Sequence, residues 1–185
     1  MRFCLDLLYR AALWLSAACL VAIALLVGVQ VLARLLDAAL KLMGREPVGI
    51  VILSLAEIAG YLLAAASFLA LAGTLKAGTH IRVTLVLAAL GDKRRRALEI
   101  WALGAASVFC AYITFSLCRF AYYSWLFHEV SPGLIPVPLA IPQAAMAFGM
   151  LVLVIALIDE LVIVLKGAHP TFRQAEDALI TGKEG

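Results

Sequence analysis

From Gly60 to Ala77 the chain is almost entirely Leu, Ala, Gly, Ser and Phe, and the one charge, Lys76, stands at the far end. About 20 apolar residues rising 1.5 Å each are enough to cross a hydrocarbon core of roughly 30 Å, so such a run is a membrane span. It leads directly into Gly78-Thr-His80-Ile-Arg82-Val83, a shorter apolar stretch to Leu90, and then Asp92-Lys-Arg-Arg-Arg96. The basic cluster Lys93, Arg94, Arg95 and Arg96 marks a cytoplasmic loop, because Lys and Arg accumulate on that side of a membrane.

The same character extends over the whole chain: 65% of the residues are hydrophobic against 15% charged, and the mean hydropathy is +1.05. Such a balance belongs to an integral membrane protein. The 185 residues have room for four spans and short connections but not for an added soluble domain. The expected fold is therefore all-α, one four-helix membrane domain over residues 1–166 with spans at about 11–36, 50–77, 97–127 and 142–165, followed by a polar cytoplasmic tail at 167–185. The net charge is only +3 and the basic residues sit at span ends, which sets nucleic acid aside as a partner.

Met1 to Arg10 alternates Phe3, Leu7 and Leu8 with Arg2, Asp6 and Arg10, a short amphipathic lead-in suited to the headgroup level. The first span follows, with Gln30 and Arg34 on one face near its far end. Ser16-Ala-Ala-Cys19 resembles a lipoprotein processing site, but the apolar run continues well past Cys19, so the segment is expected to be retained. Cys19, Cys110 and Cys118 lie in apolar runs and read as small hydrophobes.

Asp37 to Gly49 carries Lys41, Arg45, Glu46 and Pro47 and reads as an exposed loop. If the second span starts near Ile50, Glu57 stands about two turns inside it, a depth at which a carboxylate needs a partner; Arg34 and Arg45 are the candidates. Ala56, Gly60 and Ala64 recur every four residues, with Ser67 next, giving a strip that lets another helix approach closely. That helix could belong to this subunit or to a partner. The segment Thr79 to Leu90 is too short to cross by itself and is expected to lie at the cytoplasmic interface, with His80 and Arg82 as candidate partner contacts.

The third span ends in Phe120, Tyr122, Tyr123, Trp125 and Phe127, an aromatic belt at the opposite interface. Pro132, Pro136, Pro138 and Pro142 make the following loop rigid, and Pro142 suits the opening of a helix. In the fourth span Gly149 offers a close-contact point and is a candidate for the partner surface, and Asp159 and Glu160 near its inner end are expected to meet water or to pair with Arg94 to Arg96.

With the N-terminus inside, the inner side holds Arg2, Arg10, Lys76, Arg82, Lys93 to Arg96, Lys166, Arg173 and Lys183, leaving Arg34, Lys41, Arg45 and Arg119 outside. This asymmetry places both termini in the cytoplasm.

A solute pathway needs polar groups or broken helices near the bilayer midplane. Here the strong charges fall toward span ends, the interiors offer only hydroxyls such as Ser67, Ser107 and Thr114, and no span has an internal proline or paired glycines. No His-Glu-x-x-His, Gly-x-Ser-x-Gly or phosphate-cradling loop is present. His80 and His169 are expected inside and His128 outside, so no bis-histidine haem clamp forms at matching depth. Neither an enzyme nor a cofactor is therefore expected. A membrane-anchor or electron-transfer subunit of an enzyme complex and a small autonomous channel remain the alternatives from other classes.

Glu57-Ile-Ala-Gly-Tyr61 leading to Gly78-Thr-His80-Ile81-Arg82-Val83, within a four-span layout with both ends inside, resembles the small (DctQ-type) membrane subunit of tripartite ATP-independent periplasmic (TRAP) transporters. Val31-Leu-Ala-Arg34, Ile135-Pro-Val-Pro138 and Gly149 add to the resemblance, which covers roughly residues 10 to 165; Thr84 stands where the family often has Asp. The resemblance implies a scaffold in the bacterial inner membrane that binds a large permease subunit holding the substrate and sodium sites. It also implies a periplasmic solute-binding protein that delivers an organic acid, with an elevator movement confined to the large subunit.

Overall fold

A computed structural model describes residues 2–77 and 92–167. Four helices make up the regular structure of these described residues: α1 (Arg2–Leu42), α2 (Leu55–Lys76), α3 (Asp92–Leu126) and α4 (Ala140–Leu165). All four are long and apolar enough to span a membrane. At 22 and 26 residues, α2 and α4 are about 33 and 39 Å long, close to the thickness of a bilayer core. The 41 residues of α1 and 35 of α3 give about 60 and 50 Å, so these two must tilt or project.

Several boundaries differ from the sequence expectation, for local reasons. The lead-in at 1–10 is not a separate amphipathic piece: from Arg2 onward it forms the first turns of α1. At its other end α1 runs past Asp37 to Leu42, because the intervening Ala, Leu and Lys residues all favour helix. Gly44 then stops it at φ 70°. Gly44 N donates to Lys41 O at 3.1 Å and Arg45 N to Leu40 O at 2.9 Å, the paired bonds of a glycine-terminated helix.

Ile50 to Ser54 is not helical, so α2 begins five residues later than the apolar pattern implies. The amides that would start a helix are held elsewhere. Asp37 Oδ1 accepts from Val48 N at 2.8 Å and Gly49 N at 3.2 Å, and Gln30 Oε1 accepts from Ile52 N at 2.7 Å. The connection thus runs back along α1, and α2 starts level with Gln30. Residues 31–42 of α1, about 18 Å of helix, stand beyond that level.

Packing follows a simple order. α1 lies on α2, α2 on α4 and α4 on α3, while α1 barely reaches α4. The helices form an open row with α1 and α3 at its flanks. α4 is the most enclosed and α1 and α3 the least. The core lies where the start of α1 (Tyr9, Ala12), the end of α2 (Leu69, Ala72, Leu75), the start of α3 (Leu103) and the second half of α4 (Met150 to Val164) converge. Small residues bring these helices together: a Cβ on Gly73 would strike the Leu13 side chain of α1, and one on Gly149 would strike the α2 backbone at Phe68. Ser16 Oγ adds a buried bond across α1 and α2, donating to Ala66 O at 2.8 Å.

At the opposite end, the proline-rich connection folds on itself. Val130 and Pro138 form a single antiparallel bridge, and Ser131 N donates to Val137 O at 2.9 Å. Pro142 is the third residue of α4, within the first turn, where a helix has no acceptor waiting for its missing N–H.

Candidate partner-facing site

The face of α2 that carries the small-residue strip points away from the rest of the subunit. Ala56, Gly60 and Ser67 are exposed and Ala64 is half-buried, whereas Ala65, Ala66, Leu69, Ala72, Gly73 and Leu75 are the residues buried on the opposite side. A Cβ at Gly60 would meet nothing within 4 Å. Among the described residues no helix of this subunit covers the strip.

Gly149 is different. It was a candidate for the partner surface, but it is buried against the α2 backbone at Phe68 and joins α4 to α2 inside the subunit.

The strip is bounded at its N-terminal end by a latch. Glu57 lies in the first turn of α2 rather than two turns deep, where the amide dipoles of a helix start favour a carboxylate. It pairs with neither Arg34 nor Arg45. Glu57 Oε1 accepts from Tyr61 Oη at 2.8 Å, and its other oxygen lies against Gly133, whose lack of a side chain makes the room. Ser54, in a left-handed conformation at φ 55°, accepts from Ile135 N at 3.1 Å. The proline-rich loop is therefore fastened to the start of α2 at two points.

At the C-terminal end of α2, Lys76 draws three helices together. Its ammonium lies 3.1 Å from Asp6 Oδ1 on α1 and 3.5 Å from Asp159 Oδ2 on α4, and 4.5 Å from the centre of the Tyr9 ring. Water-facing positions for Asp159 and Glu160 do not hold. Asp159 pairs with Lys76, and Glu160 is 0% exposed, placed there because α4 is enclosed by both α2 and α3 at that depth.

The arginines of the basic cluster have distinct tasks. Arg95 Nε donates to Glu99 Oε1 at 3.4 Å within α3, and Arg96 Nη2 donates to Leu165 O at 3.0 Å, satisfying a carbonyl at the end of α4. Arg94 is exposed on another face. His80, Arg82 and the rest of the expected interfacial segment lie outside the described residues, as does the tail from residue 168.

Three hydroxyls within the spans, those of Ser67, Ser107 and Thr114, are turned onto their own helices. Ser67 donates to Leu63 O at 2.8 Å, Ser107 to Leu103 O at 2.7 Å and Thr114 to Cys110 O at 2.8 Å. Hydroxyls bonded back in this way are not offered to a solute. Among the described residues no group of three His, Cys, Asp or Glu side chains is placed to hold a metal ion.

The sequence pointed to the strip and to the importance of Glu57, but not to the Lys76 clasp or to Gly73, Gly133 and Ser54. One signal for the clasp was available: Asp6, Lys76 and Asp159 all fall at the same end of an up-and-down arrangement. The latch had none, since it joins residues about 80 positions apart through a loop whose path the sequence does not dictate.

No curated protein gives a significant match to this chain. A family model does: that of the DctQ component of tripartite ATP-independent periplasmic transporters matches residues 23–167. That family is one of transporter components rather than enzymes, and with four helices of spanning length its member here is a multi-pass protein of the inner membrane. The open row of four apolar helices is the small membrane component of a TRAP transporter, and the chain belongs to the DctQ family.

Proposed function

We propose that this subunit is a static brace for the large permease subunit of its transporter, which carries out sodium-coupled uptake of an organic acid delivered by a periplasmic solute-binding protein. The observation that carries the reading is the open small-residue face of α2. Ala56 and Gly60 are exposed, and among the described residues nothing beyond α2's own backbone lies within 4 Å of where a Gly60 side chain would begin. Within a bilayer, helices associate through close backbone approach at such strips, since lipid gives no hydrophobic drive toward protein.

The row arrangement supports the same role. A closed bundle would spend its apolar faces internally, whereas this row leaves most of α1 and α3 uncovered and presents a wide wall to a neighbour. Hydroxyls bonded back onto their own helices fit a wall better than a passage. Substrate and sodium sites would then lie in the large subunit, where an elevator movement would take place against a fixed surface. Both termini face the cytoplasm in this reading, on the grounds of the basic residues counted above.

Copurification tests the interface. Gly60→Leu fills open space and leaves the subunit's own packing alone, so the variant should fold yet recover much less large subunit and lose transport. Undiminished recovery of the large subunit together with full transport would remove α2 from the interface.

A further inference from the structure

The outward face of α3 holds an apolar groove lined by Trp101, Gly104, Ala105, Val108, Phe109 and Tyr112. At 100° per residue, Arg94, Trp101, Ala105 and Tyr112 fall within about 40° of a single line along the helix. That line is opposite the buried one through Leu103, Ser107 and Thr114. From Trp101 to Tyr112 the groove runs about 16 Å, the depth of one leaflet of a roughly 30 Å core. Arg94 is two turns beyond Trp101, on the headgroup side. Arg95 and Arg96 have partners within the protein, whereas no carboxylate among the described residues pairs with Arg94.

We propose that this face binds an anionic phospholipid of the leaflet at the N-terminal end of α3, with an acyl chain in the groove, Trp101 at the interface and Arg94 on the headgroup. The shape favours a thin chain over a protein helix. Only Gly104 and Ala105 are small, and they are flanked by Trp101 at 73% and Tyr112 at 69% exposure, whose rings project too far for a second backbone to approach over more than a turn. The α2 strip has the opposite shape: small residues over several turns and no flanking cation. Indole prefers the interface, and a basic side chain at the cytoplasmic surface is attracted to anionic lipid. The site is independent of which protein covers α2.

The test is native mass spectrometry of the protein purified from membranes with its copurifying partners, after equilibration with vesicles of equal parts phosphatidylglycerol and phosphatidylcholine. The wild-type protein should retain phosphatidylglycerol preferentially, and Arg94→Gln should reduce that preference about fivefold. Gly104→Leu, whose added atoms enter open space, should lose the retained lipid of either kind with its thermal stability unchanged. Equal retention of the two lipids by the wild-type protein, or unchanged retention in either variant, would overturn the proposal. So would loss of a copurifying membrane subunit from Gly104→Leu, which would make the groove a protein contact.

Discussion

Gly60 and Gly149 are the same residue in opposite circumstances. Any side chain at Gly149 collides with the backbone of α2 at Phe68, and backbone cannot yield as a side-chain tip can. Gly149→Val is therefore expected to lower the stability of the isolated subunit by about 1–3 kcal/mol, the usual cost of overpacking, read as earlier thermal unfolding in detergent. Gly60→Leu should leave that unfolding curve in place and act only on assembly. Both glycines stood out in the sequence as close-contact points. Which one faced inward was not legible, because four-residue spacing reports that a strip exists and not what lies across from it. Glu57 shows a related limit: its depth depended on where α2 begins, and the apolar residues Ile50 to Ile52 concealed that boundary.

At the scale of elements, the connections are held by side chains of the helices they join. Asp37 fixes the amides of Val48 and Gly49, and Gln30 that of Ile52. Removing the carboxylate in Asp37→Ala should release those two amides, and their hydrogen exchange should accelerate by roughly tenfold, as fits loss of a charge-assisted bond. Exchange in the middle of α2 should not change. Lys76 joins α1, α2 and α4 through groups that are part-exposed, so its loss should cost less than a fully buried ion would. Lys76→Met is expected to destabilise by on the order of 1–2 kcal/mol, and adding Asp159→Leu should recover part of it. Additive losses in that double-variant cycle would show that the pair at 3.5 Å is not coupled.

For the whole molecule, the four spans and their apolar character were legible because a bilayer demands length and composition before anything else. The order of the row was not. Nothing in an apolar helix says which neighbour it chooses; in the structure Gly73 and the Ser16 bond set α1 on α2, Gly149 sets α2 on α4, and Arg96 ties α3 to the end of α4. Orientation has a direct test. A reporter enzyme that works only outside the cytoplasm should be silent when fused after Arg96 and active after Gly133; the reverse pattern would invert the molecule.

A wall for a moving partner should move nothing by itself. Reconstitution into liposomes examines this most directly, with uptake of the transporter's organic acid followed under a sodium gradient. Vesicles holding this subunit alone should show no uptake, while vesicles holding it with the large subunit and supplied with the binding protein should accumulate solute. Accumulation by the subunit alone, or full uptake by the large subunit and binding protein without it, would contradict the role of brace.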